Sequence, residues 1–186
     1  MSSATVHTTP VPSVSSADKS KPIFPLMIAN DGFSEVGEEK EASATCFCGN
    51  VQLSFPTVGP GFRGGFLCHC TDCRTVTASM FATNFTVALS HIKYIRGQSS
   101  LKEYGQATTI ASGNRMTNSF CSNCGTLMMR VSSGSPHLAF LRVGTVDDFA
   151  LHETRLKPKI ELFAKDRVGW LAPIDGCQQA STQTKL

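Results

Sequence analysis

No stretch of this sequence approaches the roughly 20 consecutive apolar residues that a membrane-crossing helix requires. Charge is scarce as well: Asp, Glu, Lys and Arg make up 17% of the chain and the net charge is only +3. The basic residues are scattered, so the electrostatic footprint of a nucleic-acid-binding protein is missing. Residues 1–20 contain neither an apolar core nor an arginine, which argues against secretory and mitochondrial targeting. A cytoplasmic location is expected, with the nucleus as the alternative. In either compartment thiols stay reduced, and clustered cysteines favour metal over disulfides.

Apolar residues form 41% of the chain, enough for one domain with a substantial core. Residues 1–41 read as a flexible N-terminal extension, low in bulky side chains over its first half. Within it, segment 22–29 (PIFPLMIA) is apolar but broken by proline, hence neither helix nor central strand. Such an arm would pack on its own domain or on a second copy, making a homo-oligomer.

From residue 42 the pattern changes to short alternating segments. Val51, Leu53 and Phe55 share one face, with Gln52 and Ser54 opposite. Phe81, Thr83, Phe85, Val87 and Leu89 repeat that period. Met116, Asn118 and Phe120 precede one cysteine pair, and Leu127, Met129 and Val131 follow it. Leu138, Phe140 and Arg142 alternate with Ala139, Leu141 and Val143, and Ile160–Phe163 reads as another strand. Runs of period two mark half-buried strands. Helix is expected only as short turns near Ser90–Ile95 and Val146–Leu151. The reading is a mainly β, single compact domain over residues 42–178, built of short antiparallel sheets around zinc knuckles, with a polar tail at 179–186.

Seven of the eight cysteines fall into three tight groups: Cys46-Phe-Cys48, Cys68-His-Cys70-Thr-Asp-Cys73 and Cys121-Ser-Asn-Cys124. Residues two apart on an extended strand point the same way, and a spacing of three suits a tight turn that aims two sulfurs at one ion. Gly49 and Gly125 follow the two pairs, where a sharp turn needs positive φ. Cys46, Cys48, Cys121 and Cys124 therefore read as the two halves of one tetrahedral site. A structural zinc of this kind contributes about 10–16 kcal/mol of apparent binding free energy.

Cys68, Cys70 and Cys73 can converge without help, and no further clustered cysteine completes them. Three protein ligands leave one position of a zinc ion for water or substrate. Zinc held by three thiolates carries formal charge −1, so it is a weak activator of water but a good host for another sulfur. A thiol substrate fits this site better than hydrolysis does. The competing reading is a second structural zinc, with Cys177, water or a partner as its fourth ligand. Cys177 otherwise reads as an ordinary free thiol. His69 should point away from the metal, which leaves it a supporting or surface role rather than that of a ligand.

The order of these motifs, with Phe120 before Cys121 and Arg74 after Cys73, resembles the glutathione-dependent formaldehyde-activating enzyme family, which also includes centromere protein V. The segments 78–87, 144–148 and 166–171 look like later blocks of its fungal-type members. The resemblance implies a β fold with two zinc positions, structural at Cys46, Cys48, Cys121 and Cys124 and catalytic at Cys68, Cys70 and Cys73. It implies glutathione as co-substrate and a carbon–sulfur lyase that joins a thiol to formaldehyde or another electrophile. Alternatives are a zinc-dependent lyase, dehydratase or hydrolase on a larger metabolite, or a non-catalytic zinc binding module. The last is disfavoured because residues 1–20 lack a basic tail.

Supporting candidates are less specific. Arg74 would bind a glutathione carboxylate or form a surface ion pair, and Asn84 would line the site or meet solvent. Asp72 is expected to cap the knuckle through its side chain. Glu161 and His152 read as solvated surface residues, and Trp170, the only tryptophan, as a residue that closes the core. No nucleic-acid partner and no membrane partner is expected.

Overall fold

The computed structural model describes residues 18, 20, 21 and 31–183. The apolar arm expected at 22–29 lies outside the described residues. Alternating segments become strands in the expected order, with some that the pattern did not mark. The first half comprises β1 (Glu41–Thr45), β2 (Gln52–Pro56), β3 (Phe62–Cys68), helix α1 (Thr71–Thr77), β4 (Ala82–Ala88) and β5 (Lys93–Arg96). The second half comprises β6 (Leu101–Gln106), β7 (Met116–Cys121), β8 (Leu127–Ser132), β9 (Ser135–Arg142), helix α2 (Ala150–Glu153), β10 (Pro158–Leu162) and β11 (Gln178–Ala180). The fold is mainly β, as expected. β11 runs two residues into the stretch expected to be polar tail, and Ala180 is buried there.

Three strands form a small antiparallel sheet in the order β1-β2-β5, and eight form a larger one in the order β11-β10-β3-β4-β9-β8-β7-β6. Among the described strands only β10 pairs in parallel, with β3 on one side and β11 on the other. The small sheet covers one face of the large sheet. Ala42, Ala44, Val51, Leu53 and Phe55 meet Phe85, Val87, Met129, Ala139 and Leu141 in a shared core, where the rings of Phe55 and Phe85 stand 4.7 Å apart. Side-chain alternation turns Ala82, Asn84 and Thr86 of β4 to the opposite face. There Phe66, Cys68, Cys73, Ala82 and Leu162 gather in a second, smaller cluster.

The far side of β2 is not solvated as its polar residues suggested. Gln52 is buried because its amide donates to Thr45 Oγ1 at 2.9 Å and its carbonyl accepts from Arg96 Nη1 at 3.0 Å. The turn expected near Ser90–Ile95 is a 3₁₀ turn at Leu89–His91 that gives way to β5 at Lys93, and the one expected near Val146–Leu151 is α2, which begins only at Ala150. Helix α1 was not expected, since TDCRTVT has no helical apolar stripe. It forms because Cys70 caps it, its sulfur accepting from Cys73 N at 3.4 Å, and because Ala78 stops it with φ 50°. Trp170 does not close the core. It is 74% exposed on the loop between β10 and β11, away from the faces where the sheets meet. Among the described residues no helix is long and apolar enough to cross a membrane.

Phe85→Ala should lower stability by about 3–5 kcal/mol, since the well-packed interior can only partly collapse into the void. Urea denaturation of the metal-loaded chain would measure it.

Candidate metal centres

The turn after β1 and the turn after β7 carry the paired cysteines. Gly49 and Gly125 adopt φ 79° and 75°, and their N–H groups donate to Cys46 O and Cys121 O at 2.9 and 2.8 Å. Any other residue would be strained there. The four sulfurs all lie within 4.8 Å of one another, with Cys46 to Cys48 at 3.5 Å and Cys48 to Cys121 at 3.8 Å. Val51 N donates to Cys46 Sγ at 3.2 Å. Thr126 links the two turns, accepting from Phe47 N at 3.1 Å while its hydroxyl meets Cys124 Sγ at 3.2 Å. Burial pushes the Cys46 thiol up to about 12. At Cys124 burial acts in the same direction, but the bonds from Thr126 and Cys48 outweigh it and bring the thiol down to about 6. A cation held here would displace the remaining protons.

The second cluster is built at a strand-to-helix junction. Cys68 ends β3, Cys70 is the N-cap of α1 and Cys73 lies in its first turn. Their sulfurs are again within 4.8 Å, and among the described residues no fourth Cys, His, Asp or Glu joins them. Cys177 stands apart, against Pro158 O at 3.6 Å. Hydrogen bonds from Cys68 and Cys73 hold the Cys70 thiol below its usual range. Contacts with Cys70 and Cys73, together with burial, push Cys68 up. Each cluster has the chemistry of a site for a soft divalent ion.

His69 turns away from the sulfurs, as its place between Cys68 and Cys70 dictates, and is fully buried rather than at the surface. Its Nε2 meets Glu161 Oε2 at 2.7 Å. Glu161, expected at the solvated surface, is instead 1% exposed on β10. It also accepts from Ile174 N at 2.6 Å, Gln179 Nε2 at 3.0 Å and Arg167 Nη1 at 3.0 Å. Burial opposes ionisation, but the bonds from Gln179, His69, Ile174 and Arg167 prevail and hold the carboxyl near a pKa of about 2. A satisfied carboxylate thus anchors the loop that carries the three cysteines. His152 is half-buried rather than a solvated surface residue; its Nε2 meets Val146 O at 3.2 Å and burial pushes its pKa down.

Asp72 does not cap the knuckle, because Cys70 fills that role. Its Oδ2 accepts from Thr109 Oγ1 at 2.7 Å and Gln106 Nε2 at 3.2 Å and lies 3.6 Å from Arg130 Nη2. Arg74 is half-buried with Nη2 against Met80 Sδ at 3.6 Å. Asn84 is 1% exposed. Its amide donates to Ala82 O at 3.0 Å, and its carbonyl accepts from Arg142 Nη1. Arg130 and Arg142, both 6% exposed, are site residues that the sequence did not single out, Arg142 being read only as a strand position. Arg130 Nη1 donates to Cys73 Sγ at 3.6 Å. Burial pushes the Arg142 guanidinium down, with Arg130 acting the same way and Cys73 and Cys68 opposing it. The available signal was an arginine inside each of two strongly alternating strands. A cavity of about 870 Å³ lined by Glu35, Thr57, Phe62, Asp148, Leu151 and Arg155 includes none of the clustered cysteines.

Such a scaffold, mainly β with a four-cysteine and a three-cysteine cluster each able to hold a metal ion, defines the class of protein. The model of the glutathione-dependent formaldehyde-activating enzyme family matches residues 41–166, well over half of the chain. The chain belongs to that family. No curated protein matches it. A crystal structure of a Rhodobacter sphaeroides protein is similar at 23% identity and a TM-score of 0.44, covering 55% of this chain and 85% of that one.

Glu161 supplies a pH test. A carboxyl held low in the folded state contributes stability that is complete above its ordinary value, 4.5, and is lost as pH falls toward about 2. The stability difference between the unaltered chain and Glu161→Gln should therefore shrink across that window, measured by urea denaturation at stepped pH. A difference that stays constant there would contradict the assignment.

Proposed function

We propose that this chain is a zinc-dependent carbon–sulfur lyase-type enzyme that joins a thiol, glutathione in the first instance, to an aldehyde or other small electrophile. The observation that carries the reading is the cluster of Cys68, Cys70 and Cys73, whose sulfurs lie within 4.8 Å with no fourth protein ligand among the described residues. Zinc bound by three thiolates supplies a soft Lewis-acid position that favours a fourth sulfur as thiolate.

The chain's own groups prepare for that charge. Three thiolates around a divalent ion sum to −1, and an incoming thiolate would make it −2. Arg130 and Arg142, both buried beside Cys73, bring two positive charges to the same region. Their field favours the deprotonated form of a thiol arriving there. Capping of α1 by Cys70 and the His69–Glu161 anchor fix the sulfurs in place, so a thiol and an electrophile gain from being positioned rather than from strong acid or base chemistry. Cys46, Cys48, Cys121 and Cys124 hold a second zinc with all four positions filled, a structural site with no place for substrate.

Cys70→Ser should reduce zinc from two ions per chain to about one and abolish turnover of glutathione with formaldehyde, because the serine hydroxyl is a far poorer zinc ligand than thiolate. Metal analysis paired with an assay of free thiol and aldehyde measures both. Loss of one ion with turnover intact would refute the proposed site. Cys124→Ser should instead remove the cooperative unfolding transition, since the metal at that site contributes folding free energy directly.

A further inference from the structure

The outer face of the large sheet holds more unsatisfied polarity than a core should. Buried polar groups in folded proteins are nearly always hydrogen-bonded. Seven buried side-chain atoms among the described residues have no partner, and five of them, Thr86 Oγ1, Asn118 Oδ1, Arg130 Nε, Arg142 Nε and Arg142 Nη2, belong to this one face. Asn84 pairs with Arg142 across β4 and β9, Phe140 with Arg130 across β9 and β8, and Arg130 with Asn118 across β8 and β7. The unsatisfied groups are therefore contiguous, and Arg130 connects them to Cys73 at 3.6 Å.

Besides its interaction with Cys73, Arg142 is held by one end only. Its Nη1 is taken by Asn84, while Nε and Nη2 are free. Those two nitrogens form the edge of the guanidinium whose parallel N–H groups match the two oxygens of a carboxylate. Arg130 already faces Asp72 at 3.6 Å and Cys73 at 3.6 Å, so Arg142 is the guanidinium with a fork to spare, and one fork matches one carboxylate. We infer that the Nε–Nη2 edge of Arg142, flanked by Arg130, Thr86 and Asn118, binds the carboxylate of a substrate that reacts at the three-cysteine cluster. This rests on the proposed function. Within it, either the electrophile is an oxo acid rather than an uncharged aldehyde, or the thiol presents its own carboxylate.

Calorimetric titration of the zinc-loaded full chain separates these sources. Glyoxylate is compared with glycolaldehyde, and 3-mercaptopropionate with 3-mercaptopropanol. At least one carboxylate should bind about tenfold or more tightly than its uncharged counterpart, the gain from a buried bidentate ion pair. In Arg142→Gln that ratio should fall to near unity. Arg142→Lys, which keeps the charge and loses the fork, should lose most of it too, with zinc content measured on each variant. The pair that carries the preference identifies the source. Equal binding within both pairs in the unaltered chain overturns the inference. So does a preference that persists in Arg142→Gln, including a parallel loss for charged and uncharged probes, the mark of a mere counter-charge to the sulfurs. Failure of both thiols to bind would count against the thiol chemistry itself, and the aldehyde pair would still decide the anion site.

Discussion

Thiolates a few ångströms apart repel one another, and only protons or a cation let them stay together. This chain gathers seven sulfurs into two groups, each within 4.8 Å, so its folded state is coupled to whatever neutralises them. The four-sulfur group lies where the turn between β1 and β2 meets the turn between β7 and β8, and it joins the small sheet to the large one across a long sequence separation. The three-sulfur group lies where β3 passes into α1 and is local. The same ligand chemistry therefore acts in two ways. One group closes a long loop in the fold, and the other shapes a short segment into a site.

The large sheet divides these tasks between its faces. Toward the small sheet it presents Phe85, Val87, Ala139 and Leu141, and the interior there is apolar and continuous. On the outer face, alternating positions of the same strands present Asn84, Thr86, Arg130 and Arg142. Period-two alternation is usually read as core against solvent. Here both sides are buried, and the second side is polar because the sulfurs lie on it. The buried guanidiniums cost desolvation, and three sulfurs beside them that would turn anionic on holding a metal ion are a physical reason for a fold to retain that charge. Membership of the glutathione-dependent formaldehyde-activating enzyme family is in keeping with this arrangement, and the proposed thiol chemistry uses both halves of it.

Sequence spacing alone yielded the two cysteine sets, because a metal knuckle is local: two or three residues and a following glycine contain its geometry. Gly49 and Gly125 could be assigned positive φ for that reason. Strands were legible where apolar residues alternated strictly, as in β2, β4, β8 and β9. Helix α1 was not, because TDCRTVT carries no stripe and forms through a sulfur cap at Cys70 and a left-handed stop at Ala78. Trp170 misled since residue type suggests burial, whereas burial depends on which strand faces meet. Glu161, His152 and Asp72 misled in the opposite sense. A charged or polar side chain suggests solvent until its partners are known, and those partners lie far along the chain or on another element.

The amino-acid order by itself determined the ligand sets, the sheet-rich class and the family, since each is written in short-range spacing and residue chemistry. Only the tertiary structure decided what surrounds the sulfurs. Glu161 reaches His69 across 92 positions and Arg142 reaches Asn84 across 58, and no local pattern encodes contacts made by strands that become neighbours only when the sheet assembles. The unclaimed edge of Arg142 belongs to that second kind of information, because a guanidinium is free or satisfied according to what the fold places against it.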